Sequence, residues 1–423
     1  MAHVGEGPTH EGVGIHNWRL PPYNRWAFWH VKDILGTTEV KAATVASPLS
    51  PYAGGVADPL AQKVVRVDGT ESTPRDILAD TYTDAFVVIH DGALVAEWYG
   101  PEGAPERTHA LMSVTKSIVS CVAAALVDRE ILDVSIPVNA YVPELADSGY
   151  AEATVSDVLD MRSGVRFRED YKDPDADIRR LALCEAGIYS YLTDLKAEAP
   201  HGQRFLYRSA ETDVLGWVCE RVSGLPMAKL ISTLIWQPIG AEFDAEIITD
   251  TTGTAYHDGG LCATARDVAR FGQLLLEGGT AVDSAGAVGT VIGPRWLRES
   301  STSDAESLAL FADSPAGISM PGGWYRNQFW FRPGGFGDVL LCLGIHGQMI
   351  HVSRRTRTVC VKFSTWPEPQ RPGDLQDTLR AFDNVGGVLS GHYLRGRNPR
   401  LPGIASGVNR HGVASRSADI KNL

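Results

Sequence analysis

The sequence predicts an α/β domain interrupted by a mainly helical insertion. Paired apolar, β-branched runs lie near residue 90 and again near residue 350, and helix signals dominate between them. The first pair is FVVIHDGALVAEWY, Phe86 to Tyr99, in which two apolar runs flank Asp91-Gly92, a favoured two-residue hairpin turn. In the middle, TVSDVLDMRSG offers Thr154 as N-cap, Asp157 to complete a capping box and Gly164 as stop. TARDVARFGQLLLEGG repeats the device with Thr264, Asp267 and Gly278-Gly279. The last pair is VLLCLGIHGQMIHVSRRTRTVCVKFSTW, where the polar SRRTRT joins two apolar runs as another hairpin. The expected organisation is an α/β domain built from residues 21–126 and 265–398, with the helical insertion over 127–264. Residues 1–20 and 399–423 are short in large apolar groups and are expected to be mobile termini.

Composition excludes several function classes. At 423 residues the chain can bury a sizeable core. A net charge of −12, with no Lys/Arg-rich run, argues against a nucleic-acid surface. No apolar stretch approaches the roughly 20 residues of a membrane span. The polar, Gly-rich start MAHVGEGPTHEGVG lacks the features of a secretory signal, so a cytoplasmic protein is expected. Six scattered cysteines with no C-x-x-C pair read as small buried hydrophobes, not as a disulfide frame or metal site. The oligomeric state is not legible; a homodimer stays open.

The chemistry starts at LMSVTKSIVSCVAAALVDREI, an apolar helix that opens with Ser113 and Lys116 one turn apart. Side chains at i and i+3 are neighbours, and the helix N-terminus favours developing negative charge. An S-x-x-K pair there can turn a serine into a nucleophile if the lysine acts as base. That requires a lysine neutral at least part of the time. An apolar helix with no acid within four residues of Lys116 is a place to obtain it by desolvation. The motif alone serves equally well as a simple N-cap and a snorkelling surface lysine.

Two further elements are weaker taken singly. In FLYRSAETDVLGW, Tyr207 can relay a proton to a leaving group, although an isolated tyrosine there is more often a core aromatic. In LGIHGQ, a strand can lend a backbone N–H to an oxyanion hole. His346 in that stretch reads equally as a satisfied, partly buried histidine. His346 and His351 are five apart and face opposite sides of a strand, against a metal pair.

In the order S-x-x-K, Y-x-S, glycine-containing strand, these elements resemble the serine β-lactamase-like hydrolases, which include class C β-lactamases, penicillin-binding proteins and related esterases. NRWAFWH, DTYTDAFVV, LMSVTKS, EDYKDP, SAETDVLGW, GIHGQ and STWPEP together resemble the 6-aminohexanoate-dimer hydrolases, from about Asn24 to Pro369. The resemblance implies an antiparallel sheet flanked by helices, Ser113 as acylated nucleophile, Lys116 as its base and Tyr207 as proton shuttle. It implies an oxyanion hole from the backbone N–H groups of Ser113 and Ile345. Tyr171, in EDYKDP, matches a tyrosine over the substrate amide that helps its nitrogen leave, and Asp258 matches a substrate-shaping polar residue. His346 joins them as a substrate-binding candidate.

This chain departs from the wider pattern in two places. The usual K-T-G is absent and GIHGQ stands in its region, which removes the lysine that attracts a β-lactam carboxylate. The segment between Tyr171 and Gly202 is shorter than in the nylon-oligomer enzymes. An ionised Asp258 would favour a substrate amino group. The expectation is a serine hydrolase acting on small esters or linear amides through an acyl-enzyme, with no metal or organic cofactor. The same intermediate would serve an acyltransferase, and the cleft alone would serve a non-catalytic ligand binder.

Overall fold

The chain is described by a computed structural model over residues 10–55 and 58–391. The tail expected to be mobile over 399–423, and the first nine residues, lie outside that range. Seven strands form one antiparallel sheet: β1 (Thr83–His90), β2 (Ala93–Tyr99), β3 (Trp324–Arg326), β4 (Phe329–Gly334), β5 (Gly337–Gly344), β6 (Gln348–Ser353) and β7 (Thr358–Ser364). Their spatial order is β3-β4-β5-β6-β7-β1-β2, so strands far apart in sequence meet where β7 pairs with β1, Val361 opposite Val87. Both hairpins read from the sequence are present. Asp91 and Gly92 both have positive φ, 48° and 79°, as the tight turn requires.

Period-two alternation splits the sheet's residues between two cores. Ala85, Val87 and Ile89 face the larger one, together with Val359, Val361 and helix α3 (Ala265–Leu276). Phe86, Val88 and Cys360 face the other, which is closed by helix α4 (Pro372–Leu389) through Leu379, Phe382 and Val385. Covered on both sides, β1 is buried along its whole length.

Helix α1 (Val114–Val127) is buried from Val114 to Leu126 and packs against α2 (Ser209–Ser223). Thr154 and Asp157 make the reciprocal capping box. At α3 only half of that device forms. Thr264 accepts from the Asp267 N–H, but the Asp267 carboxylate accepts from the backbone N–H groups of Glu242 and Phe243 instead.

Two expectations about organisation need correction. The 127–264 span is helical only up to Trp236; strands Ala245–Ile248 and Leu261–Ala263 follow and pair with Thr37–Val40 and His109–Ala110 in a four-stranded sheet. The insertion therefore ends by tying itself back to the segment before α1. Residues 10–20 also do not stand away from the fold. Trp18 is buried against Phe28, their ring centroids 5.6 Å apart, in a cluster that includes Met112 and Cys262.

Candidate active site

Ser113 sits where a strained turn meets α1. Met112 just before it has a φ of 49°, an uncommon conformation for a residue with a side chain. The Ser113 side chain makes no capping hydrogen bond, so the plain N-cap reading fails and the hydroxyl is free for other chemistry. It accepts from Lys116 Nζ at 3.1 Å. Lys116 is no snorkelling surface residue either. It is 1% exposed and also donates to Ser209 Oγ at 3.1 Å and to the Asp258 carbonyl at 2.6 Å.

The surroundings of this lysine differ from the apolar wall that its own helix predicts. Burial pushes the Lys116 ammonium down, but Tyr207, Asp258, Glu169 and Asp213 act against burial and carry the net direction upward. Burial holds the Tyr207 phenol itself above its usual range, and behind Tyr207 come the three carboxylates. The nearest is Asp258, Oδ2 3.9 Å from Nζ. No acid lies within a turn of Lys116 on α1; all three come from elements distant in sequence.

Glu169 is a functional candidate that the motif reading passed over, although it opens the quoted EDYKDP. Its Oε1 accepts from Ser209 Oγ at 2.6 Å and its Oε2 from the Ser209 N–H at 2.9 Å. Lys116, Ser209 and Glu169 thus form one hydrogen-bonded chain leading away from Ser113. Burial raises the Glu169 carboxyl even against the attraction of Lys116, which makes it the better proton acceptor. Glu169 also accepts from the Tyr171 hydroxyl.

Tyr207 lies beneath the ammonium, its ring centroid 5.3 Å from Lys116 Nζ, and its hydroxyl interacts with both Ser113 and Lys116. Aromatic packing fixes its plane. Trp330 stacks on it at 5.2 Å and Tyr325 meets it edge-on at 6.1 Å.

Opposite Ser113, the end of β5 approaches so closely that a Cβ on Gly344 would lie 2.7 Å from the Leu111 carbonyl. Only glycine admits that contact, and it brings Ile345 beside the serine. Among the described residues, neither the Ser113 nor the Ile345 N–H donates to a backbone carbonyl of the turns and loops. Two unspent donors on one side of a nucleophile are what an oxyanion needs. A mainly apolar cavity of about 650 Å³ opens from Ser113, lined among others by Tyr171, Phe205, Tyr207, Trp330 and Ile345.

Two sequence candidates stand elsewhere. His346 does not line that cavity. It is 2% exposed, with Nδ1 2.8 Å from the Trp366 carbonyl and its ring edge-on to Phe28, so the satisfied-histidine reading holds. Asp258 does not line it either. Its carbonyl and carboxylate are turned to Lys116, and its N–H donates to Asp213 at 3.2 Å. That charge is already committed to the lysine, which removes the ground for selecting a substrate amine.

Asp258 rests on a buried relay. His257 lies between Asp213 Oδ1 and Glu220 Oε1, 3.6 Å from each. Burial works against its charged form, but the two carboxylates prevail and raise it to about 9. Gly216 in the middle of α2 makes room, since a Cβ there would lie 2.1 Å from the imidazole. Among the described residues no His/Cys/Asp/Glu group is arranged to hold a metal ion.

Comparison with known proteins agrees with this geometry. The Beta-lactamase family model matches residues 75–384. The chain is 36% identical over 391 residues to the 6-aminohexanoate-dimer hydrolase of Paenarthrobacter ureafaciens, covering 88% of this chain and 94% of that protein. It is 31% identical over 175 residues to esterase EstB of Burkholderia gladioli, covering 35% and 41% of the two chains. A solved Bacillus anthracis structure, assigned provisionally as a 6-aminohexanoate-dimer hydrolase, superposes with a TM-score of 0.79 at 27% identity, covering 92% of this chain and 99% of that one. With the catalytic-type serine and lysine in contact and a family match spanning most of the fold, this chain belongs to the Beta-lactamase family and is a serine hydrolase.

Proposed function

We propose that the protein hydrolyses small esters and linear amides of the 6-aminohexanoate-oligomer kind, with Ser113 as the acylated nucleophile. The observation that carries this is the 3.1 Å contact between a buried Lys116 Nζ and a Ser113 hydroxyl that does no capping. Lys116 must first give up its proton, and Ser209 with Glu169 supplies the route. Ser113 Oγ then attacks the carbonyl carbon while its proton passes to Lys116. The oxyanion is held by the N–H groups of Ser113 and Ile345. The C–O or C–N bond breaks as Lys116 and Tyr207 protonate the leaving group, and water repeats the steps to release the acid.

Ester cleavage is the easier reaction, because an amine leaves only when protonated. Tyr171 serves that step by releasing Glu169 and turning its hydroxyl to the nitrogen. The apolar cavity of about 650 Å³ suits a hydrocarbon chain of several methylenes. The six cysteines are all free, which supports a reducing cytoplasmic setting. Intact-mass analysis after incubation with a panel of esters, linear amides and β-lactams tests the reading. An acyl adduct on wild-type protein that is absent from Ser113→Ala is expected; an adduct elsewhere, or esterase activity surviving in Ser113→Ala, refutes it.

A further inference from the structure

The turn that carries Ile345 to Ser113 holds a conformation that its own residues do not favour. His346 has φ 61° and ψ 15°, in the left-handed region, and Gly347 follows at φ 92°. A residue with a side chain persists there only where its surroundings fix it. Gly347 in turn closes on Trp366, whose indole would lie 2.5 Å from a Cβ at that position.

The fixing contacts come from the segment after β7. The His346 N–H donates to the Pro369 carbonyl at 2.8 Å, and the His346 carbonyl accepts from the Trp366 N–H at 3.1 Å. The imidazole adds a third tie, with Nδ1 2.8 Å from the Trp366 carbonyl. A carbonyl only accepts, so Nδ1 carries the hydrogen. Burial pushes the ring down to about 4, which keeps it neutral near pH 7. The acceptor is itself held. Asn24 Nδ2 donates to the same carbonyl at 3.2 Å, and Trp366 Nε1 donates to the Thr81 carbonyl at 3.0 Å. Next in the chain, Gln348 grips Ser364, accepting from its N–H at 3.1 Å and donating to its carbonyl at 2.6 Å. With the His346 N–H spent on Pro369, Ile345 carries the donor on the cavity side. Ile345, Gly347 and Trp366 line that cavity, and His346 does not.

We infer that His346 is a positioning residue for the reaction at Ser113: its Nδ1–H, held by the Trp366 carbonyl, fixes the turn that aims the Ile345 N–H at the oxyanion. Stabilising an oxyanion depends on donors set in place before the charge develops, and a misplacement of about 1 Å can cost about 100-fold in rate. The imidazole lies off the cavity and acts only through Ile345. This rests on the proposed hydrolysis at Ser113 and adds to it the side chain that sets one of the two oxyanion donors.

The experiment separates the donor from the backbone preference. Asparagine tolerates the left-handed region and places Nδ2 where histidine has Nδ1, so His346→Asn should keep kcat on p-nitrophenyl butyrate within about threefold of wild type. Glycine adopts the turn freely but brings no donor. His346→Gly should lower kcat at least about tenfold with KM within about twofold, because acylation and deacylation both pass through an oxyanion. Butylboronic acid, whose tetrahedral adduct on Ser113 presents an oxygen to the same donors, should bind His346→Gly more weakly by a similar factor. Wild-type kcat in His346→Gly, an equal loss in His346→Asn and His346→Gly, or a loss confined to KM overturns the inference. If near-UV circular dichroism shows that His346→Gly does not fold, His346→Leu, which fills the space beside Phe28 without a donor, carries the same expectations. A wild type that neither cleaves the ester nor binds the boronate refutes the hydrolysis reading first, and the role of His346 falls with it.

Discussion

The molecule holds two deeply buried lysines whose local chemistry is alike on paper. Lys116 and Lys362 each donate to a serine hydroxyl and to a backbone carbonyl, and each lies near the face of an aromatic ring, at 5.3 and 5.4 Å. Their protonation goes opposite ways. Burial pushes Lys362 down to about 7, and the attraction of Asp84 and Asp374 does not restore it. Lys116 is raised, because Tyr207 and three carboxylates from other elements converge on it against burial. Burial thus leaves Lys362, on β7, much the more easily deprotonated of the two, but beside a Ser364 that is sealed from solvent. Lowering a lysine by burial does not by itself make a catalyst. The catalytic candidate keeps its charge at rest and has a hydrogen-bonded exit for the proton.

The largest expected effect tests this directly. Ser113→Ala and Lys116→Ala should each lower kcat/KM on short p-nitrophenyl esters by a factor of about 10³ or more, whereas Ser364→Ala should stay within a few-fold of wild type. Covalent labelling of Ser364 by a fluorophosphonate would break the comparison.

Stability against pH should separate Lys362 from the buried imidazolium of His257. A lysine titrating near 7 in the fold and 10.5 when unfolded leaves the unfolded chain holding more protons in between. Its contribution to stability therefore rises with pH across that window, by up to about 1.4 kcal/mol per unit. His257 is raised to about 9 from 6.5, so its contribution is complete below 6.5 and is lost as pH climbs through 9. Denaturant melts from pH 6.5 to 10 should show the wild-type advantage over Lys362→Met growing, and that over His257→Asn shrinking. Parallel curves would remove either assignment.

The smallest effect concerns the acids around Lys116. Asp258→Asn removes one carboxylate that favours the ammonium, so the acid limb of the kcat/KM profile should move to lower pH, by about half to one unit. A shift to higher pH would mean that Asp258 does not act on the lysine electrostatically.

Much of this was legible in residue order, for local reasons. Asp91-Gly92 dictates a turn through its own backbone preferences, and Thr154 with Asp157 satisfies helix-end donors within four residues. Ser113 and Lys116 meet because a helical turn puts them together. His346 was ambiguous, since nothing beside it in sequence reveals that Trp366 and Phe28 will enclose it. Trp18 was set aside with the terminus, because one aromatic anchor is a faint signal in a polar stretch.

By itself, the sequence determined the two hairpins, the interrupted α/β order and the serine–lysine pair, all of which follow from neighbours a few residues apart. Only the tertiary structure decided which lysine is raised and which lowered, and which groups carry the proton away from the serine. Those depend on Coulomb interactions with Tyr207, Asp258, Glu169 and Asp213, which chain separation does not encode and a packed fold sets.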